Sequence, residues 1–238
     1  MTNGTKLILG LPSKGRLQAD TIAWFAKRGI SIRRDGGDRE YSAIAEGFDG
    51  LDVVMLSAGE IPRELAAGRI HLGVTGEDLI RERLPAFETQ VRMAAPLGFG
   101  HADLIVAVPA AWIDVETMHD LDEVADQLRQ RHGHALRVAT KYHNLVRSFF
   151  RQHGVADYRL VDSQGATEAA PKNLAAEAIA DITSSGETLR ANHLKVLEDG
   201  LILKSQAMLC VSQTAPWDDL TETLARLEAL LGIGADAT

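Results

Sequence analysis

Asp181, Thr183, Ser184, Ser185, Gly186, Glu187 and Thr188 gather carboxylates, hydroxyls and a glycine into one short stretch of a 238-residue chain. Hydroxyls and backbone N–H groups converging on a turn hold a phosphate, and a helix starting there adds unpaired donors and the positive end of its dipole. Gly186 would let the backbone come close to that anion. Glu177 and Asp181, four residues apart, add carboxylates that would accept hydrogen bonds from sugar hydroxyls or hold Mg²⁺ through water. Sugar and phosphate would then be held together. The same D-x-x-x-S-G-x-T pattern also serves as a plain strand-to-helix connection with Ser and Thr as caps, and local chemistry leaves both readings open.

Other chemistry-bearing residues recur where a predicted strand ends. Lys14 and Arg16 follow Leu7 to Leu11 and would suit a pyrophosphate or triphosphate, or else stand as solvated turn charges. The Lys precedes the second Gly and no Lys-Ser/Thr pair follows, which excludes a Walker P-loop. Thr75 and Gly76 follow the strand His71 to Val74 and are small enough to admit a ligand. Glu77 and Asp78 behind them suit the first turn of a helix. Lys141 and Tyr142 follow Leu136 to Thr140; they would line a cleft, or Tyr142 packs in the core while Asn144 caps the next helix. Ser163 to Thr167 with Glu168 forms a ribose or phosphate shelf or a plain helix start. Arg33, Arg34 and Arg39 in RRDGGDREYSA read as surface charge on a loop or hairpin edge, and His132 with His134 lacks the further ligands a metal needs.

The positioning elements are apolar strands with helices after them. Short apolar runs lie at Leu7 to Leu11, Asp52 to Leu56, His71 to Val74, Leu104 to Val108, Leu136 to Thr140, Tyr158 to Val161 and Ala178 to Ile182. Helices are expected over about 17–28 with Gly29 as the stop, from Pro62 to Gly68, over 114–134, and after Tyr142 with Leu145, Phe149 and Phe150 buried. Leu201 to Leu203 and Ala207 to Val211 read as strands returning to the first unit, and Leu220, Leu224, Leu227 and Leu231 mark a last amphipathic helix. Ligands collect at strand carboxyl ends in such sheets, so the pattern argues for two α/β units facing a cleft, with a crossing near Pro96 to Gly100.

Composition narrows the class. Hydrophobic residues make up 45% of the chain and the net charge is −8, enough apolar material for a large core and no basic block for nucleic acid or a membrane surface. Cys210 is the only cysteine and lies in an apolar run, as a buried structural thiol would. The N-terminus lacks a signal peptide's apolar region and no segment approaches the roughly 20 apolar residues of a bilayer span, so cytoplasm is the expected location.

The Thr183 to Thr188 run resembles the 5-phosphoribosyl 1-pyrophosphate (PRPP) loop of phosphoribosyltransferases. Its context resembles the ATP phosphoribosyltransferase family: Pro12-Ser13-Lys14-Gly15-Arg16-Leu17, Glu60-Ile61-Pro62, Leu72-Gly73-Val74-Thr75-Gly76-Glu77-Asp78, Leu97-Gly98-Phe99-Gly100, Arg137-Val138-Ala139-Thr140-Lys141-Tyr142 and Asn144-Leu145 stand in the family's order. Ser57 and Glu60 depart from the Arg and Asp common there, which weakens any carry-over of nucleotide contacts to that loop. The resemblance implies a type II periplasmic-binding-protein architecture: a first α/β domain of 1–97 plus 193–238 and a second of 98–192 carrying the PRPP loop. It implies transfer of the phosphoribosyl group of PRPP to N1 of the adenine of ATP, with Mg²⁺ and release of pyrophosphate, opening histidine biosynthesis. Lys14 and Arg16 would stabilise the departing pyrophosphate; Thr183 to Thr188 would fix the 5′-phosphate. Glu177 and Asp181 would orient the ribose, and Thr75, Gly76, Lys141, Tyr142 and Glu168 would contact substrate. The length fits the family's short form, an oligomer with a separate regulatory subunit related to histidyl-tRNA synthetase. A non-catalytic ligand-binding domain, or a phosphoribosyltransferase with another acceptor, is the alternative.

Overall fold

Every residue of Leu7–Pro12 except Ile8 is buried, and burial on both faces of a strand places it inside a covered sheet. In the computed structural model, which describes residues 6–34, 42–163 and 165–233, this is β1 (Leu7–Pro12), followed by α1 (Gly15–Ala26), β2 (Ser31–Arg34), β3 (Ser42–Glu46) and β4 (Leu51–Leu56). Then come α2 (Ile61–Ala66), β5 (Leu72–Gly76), α3 (Glu77–Arg83), β6 (Val91–Pro96), β7 (Ala102–Pro109), α4 (Met118–His132) and β8 (Leu136–Thr140). The chain ends with α5 (His143–Gln152), β9 (Tyr158–Asp162), β10 (Ala178–Thr183), α6 (Glu187–Ala191), β11 (Leu194–Ser205), β12 (Ala207–Ser212) and α7 (Thr221–Leu231).

The chain forms two compact units, one of residues up to Gly100 and from Gln206 onward, the other His101–Ser205. The first has the sheet order β2-β3-β4-β1-β5-β12-β6. Its middle strands β4, β1 and β5 are parallel, and β12 runs antiparallel to β5 and β6. Trp24 and Phe25 of α1 and Leu227 and Leu231 of α7 cover one face, against Leu7, Leu9, Val53 and Val74. Ile61 and Leu65 of α2 and Ile80 of α3 cover the other, with Cys210 among them. Truncating a core residue such as Phe25 would cost about 3–5 kcal/mol. Burial pushes the Cys210 thiol up to about 12, so this cysteine is a packing group and not a nucleophile.

The second unit has the order β11-β7-β10-β8-β9, with β10, β8 and β9 parallel and β7 antiparallel to both its neighbours. α4 starts with a capping box from Thr117 and Asp120 and ends at Gly133 in the left-handed conformation. In both units the first strand of the parallel trio lies between the other two: β1 between β4 and β5, β8 between β9 and β10. The chain therefore reverses direction across the sheet at β1/β5 and at β8/β10, and such switch points are where α/β sheets open a crevice at their carboxyl ends.

Three expectations are corrected here. Leu201 to Leu203 does not return to the first unit: it belongs to β11, a strand paired with β7 that is bulged between Val196 and Leu201. The second crossing thus falls at Ser205 to Gln206, after the expected point near Asn192. Val146 is fully buried in α5 where Leu145 was expected, and the helix's N-cap position is Tyr142, with no side-chain cap, in place of Asn144. Arg33 pairs with Glu46 across β2 and β3, which fits surface charge on a hairpin edge; Arg39, Gln164 and the tail after Ile233 lie outside the described residues.

Candidate active site

In the second unit the loops after β8, β9 and β10 meet at one end of the sheet. β10 delivers Asp181 and Thr183; Gly186, at φ 70°, makes the left-handed turn into α6. Only glycine adopts that conformation without strain. The Gly186 N–H donates to Thr183 Oγ1 at 2.9 Å, and the Glu187 N–H donates weakly to Ser185 Oγ at 3.4 Å. The loop's own hydroxyls thus occupy the donors that an anion would take, and rotating the hydroxyls outward exposes both sets to a ligand. A cavity of about 220 Å³ opens beside the loop, lined by Glu168, Asp181, Thr183, Ser184, Ser185 and Thr188 among others.

Asp181 is the carboxylate of this cavity. Burial pushes its carboxyl above the ordinary range, against hydrogen bonds from the Ile182 N–H and the Thr167 side chain and the pull of Lys141, while Glu168 adds to the rise. Lys141, Thr167 and Glu168 thus stand within electrostatic reach of Asp181. The Lys141 ammonium donates to the Gly165 carbonyl at 2.9 Å, and Ser163 and Thr167 share a hydroxyl contact of 2.7 Å. Tyr142 turns inward and is 6% exposed, with its N–H on Thr140 Oγ1 at 2.9 Å; its place is in the core.

Glu177 is not brought to this cavity. It precedes β10, beside the start of β8, and Arg137 donates to it from Nε at 3.0 Å and from the backbone N–H at 2.7 Å. Four residues along a strand separate it from Asp181 by about 13 Å, at roughly 3.3 Å per residue. Burial would raise the Glu177 carboxyl, but the Arg137 guanidinium and N–H overcome this and hold it below the usual range. The pair of Glu177 and Asp181 therefore cannot share one water-bound Mg²⁺. Among the described residues no cluster of three or more His, Cys, Asp or Glu offers a metal cage. What remains, Asp181 with Glu168 nearby, suits a Mg²⁺ that arrives on substrate phosphates and keeps most of its waters.

Arg190 was not singled out from sequence. One turn into α6, its Nη2 donates to the Ser185 carbonyl at 3.2 Å, and Nη1 stands 3.0 Å from where a Cβ on Gly186 would sit. The signal was a cation four residues after the glycine, a spacing that folds back over a helix start.

In the first unit the same sheet end carries the other candidates. Lys14, at the N-cap of α1, and Arg16, in its first turn, are exposed, and Gly15 between them has φ 76°. Arg16 approaches Asp20 at 3.6 Å with its side chain 94% exposed, so that contact leaves it available. Thr75 is fully buried, its hydroxyl donating to the Ala58 carbonyl at 2.8 Å; it ties the end of β5 to the loop after β4. The Asp78 carboxylate lies over Gly76, with Oδ1 2.2 Å from where a Cβ would sit, so a side chain at that position would displace it. Glu60 accepts from the Ser57 N–H at 3.1 Å, and its contacts with Ser57 hold the carboxyl below the usual range.

Two sheets of this order, with hydroxyls, a glycine turn and carboxylates at one switch point and two exposed cations at the other, define an α/β protein of the type II periplasmic-binding kind. Residues 57–231 match the family described as HisG: ATP phosphoribosyltransferase. A relative in Cereibacter sphaeroides with the name ATP phosphoribosyltransferase is 61% identical over 227 residues, 95% of this chain and 96% of its own. One in Rhodopseudomonas palustris is 52% identical over 220 residues, 92% of this chain and 68% of its own. The chain belongs to the ATP phosphoribosyltransferase family. Enzymes of this family transfer the phosphoribosyl group of PRPP to ATP, the first step of histidine biosynthesis, and that is the reaction class of this chain.

Among solved structures, the ATP phosphoribosyl transferase (HisG:HisZ) complex from Thermotoga maritima superposes with a TM-score of 0.70 at 21% identity, covering 95% of this chain and 96% of that one. The periplasmic aliphatic sulphonate binding protein SsuA from Escherichia coli gives 0.55 at 17% identity, covering 96% and 72%. Both likenesses are of fold.

Proposed function

We propose that the loop Thr183 to Thr188 holds the 5′-phosphate of PRPP and that Asp181 accepts hydrogen bonds from its ribose hydroxyls. The observation that carries this is the left-handed turn at Gly186, which sets hydroxyls and backbone N–H groups around a cavity already lined by the carboxylates of Asp181 and Glu168. Lys141 and Glu168 flank the ribose. Lys14 and Arg16 receive the pyrophosphate, while Thr75 and Gly76 act by shaping the neighbouring loop.

The chemistry follows from charge. The adenine N1 lone pair forms the new bond to the anomeric carbon of PRPP as the bond to pyrophosphate oxygen breaks, and the leaving group takes the electron pair. Positive charge grows on the sugar and negative charge on the pyrophosphate. Asp181 would offset the first charge and Lys14 with Arg16 the second, as electrostatic stabilisation of the transition state requires. Mg²⁺ bound with PRPP would supply further neutralisation of the pyrophosphate.

The near end-to-end match with the Cereibacter relative supports the short form of the family. The likeness to the Thermotoga complex supports an oligomer with a regulatory partner of the histidyl-tRNA synthetase type. Among the described residues no helix is long and apolar enough to cross a membrane, which with the biosynthetic reaction supports a cytoplasmic site of action. The test is incubation of the chain, with and without such a partner, with ATP, PRPP and Mg²⁺. Mass spectrometry should show the ATP–phosphoribosyl adduct and pyrophosphate in equal amounts; pyrophosphate without the adduct, in both preparations, would overturn the assignment of ATP as acceptor.

A further inference from the structure

At the other end of the second unit's parallel strands lies a cavity of about 530 Å³ lined by Arg129, His134, Ala135, Arg137 and Arg159. Its volume is in the range of small-molecule sites, roughly 300–1,000 Å³. Arg129 comes from the last turns of α4, Arg137 from β8 and Arg159 from β9. Arg137 and Arg159 are direct neighbours in the parallel register of β8 and β9, so their side chains leave the sheet on the same face. Like charges so placed repel and weaken a sheet. Two acids answer part of this charge: Asp157 accepts from Arg129 Nε at 2.9 Å, and Glu177 is occupied by Arg137. Arg159 has no ion pair among the described residues. A chain of net charge −8 has therefore concentrated three guanidiniums around one cavity and compensated two of them.

We propose that this cavity is a second anion site, distinct from the PRPP loop, and that it takes a small phosphate monoester. A carboxylate offers two oxygens, which one guanidinium fork can satisfy alone. Guanidiniums from three separate elements call for an anion with at least three acceptor oxygens at tetrahedral angles, which a phosphate group has. The cavity is several times larger than inorganic phosphate itself requires, leaving room for an ester portion beside Ala135 and the His134 ring. Arg159 provides the uncompensated charge, and Arg129 and Arg137 are steadied by their acids to present their remaining N–H groups. Because β8 continues from Arg137 to the strand end that carries Lys141, occupancy of this site bears on the same strand that supports the PRPP cavity.

Glucose 6-phosphate, a monoester foreign to the reaction, and inorganic phosphate are the probes. Calorimetry on the full chain carrying Gly186→Val, which disables the loop site, should show one saturable equivalent for glucose 6-phosphate. Adding Arg159→Gln should weaken it at least tenfold, while Arg159→Lys should retain part of the affinity as a point charge. Thermal melting of each variant checks folding. Absence of saturable binding in the folded Gly186→Val chain, or binding unmoved by Arg159→Gln, overturns the second site; tighter binding of inorganic phosphate than of glucose 6-phosphate overturns the monoester assignment. PRPP binding to the wild-type chain is measured alongside, so failure of this site and failure of the loop assignment give different results.

Discussion

Arg137 and Glu177 close a two-way clasp between the starts of the parallel strands β8 and β10: the Arg137 N–H donates to Glu177 Oε2 at 2.7 Å, the Glu177 N–H donates back to the Arg137 carbonyl at 2.9 Å, and the guanidinium grips the same carboxylate. The clasp registers β10 against β8 and so aims Asp181 and the Thr183 loop at the opposite end. On the proposed assignment of the PRPP loop, its role is to hold the strands in register, away from that cavity. Glu177→Ala should lower stability by about 1.5–3 kcal/mol, the worth of hydrogen bonds to a charged group, in denaturant unfolding. PRPP affinity of the folded variant should stay within twofold; a tenfold loss would return Glu177 to the site.

Asp181→Asn should behave in the reverse way. Losing charged hydrogen bonds to the ribose should weaken PRPP binding by roughly tenfold or more, at about 1.4 kcal/mol per tenfold. Stability should hold or rise, since burial already disfavours this carboxylate. Inorganic phosphate, which has no ribose, should bind the variant as well as it binds wild type, and calorimetry with both ligands checks the difference.

Lys14→Ala and Arg16→Ala should each lower kcat by about 10²-fold, the typical effect of removing one donor to a developing negative charge. Ribose 5-phosphate, which lacks the pyrophosphate, should bind either variant normally. Steady-state kinetics beside competition binding separates this from a general loss of substrate affinity.

His71 sets an acid limit on folding. Its Nδ1 accepts from the Ile8 N–H at 3.0 Å, its Nε2 faces the Pro216 carbonyl at 3.2 Å, and its ring packs edge-on to Trp217. The neutral tautomer with its proton on Nε2 satisfies both contacts, whereas a proton on Nδ1 would confront the Ile8 N–H. Burial lowers its pKa from 6.5, outweighing the Pro216 carbonyl. The unfolded chain therefore takes up this proton first as pH falls. Stability should be flat above about pH 6.5 and decline below it until the folded pKa is reached. His71→Phe should start from lower stability but lose this component of the decline, as thermal melts from pH 7.5 to pH 5 would show.

The sequence was most legible where one local signal sufficed. Leu136–Thr140 forms the expected strand, Gly29 ends its helix in the left-handed conformation, and the Thr183 to Thr188 run forms the turn its residues suggest. It was misleading where two structures share a pattern. Leu201 to Leu203 reads as a separate strand of the first unit, yet it is the far half of β11, bulged after Val196, with Asp199 accepting from the Met118 N–H at 2.8 Å to support the start of α4. Glu177 and Asp181 have a spacing that joins residues on a helix and separates them on a strand. Arg159 and Arg137 are neighbours only through strand pairing, which no local window contains.

The most direct test is calorimetric binding of PRPP with Mg²⁺ to the wild-type chain and to Gly186→Val. A valine Cβ at φ 70° is strained, and it would stand 3.0 Å from Arg190 Nη1, so the turn must open and its donors disperse. Saturable binding by wild type that weakens at least tenfold in a folded Gly186→Val variant is the expected result. Equal affinity in the two proteins would contradict the placement of the PRPP phosphate on this loop.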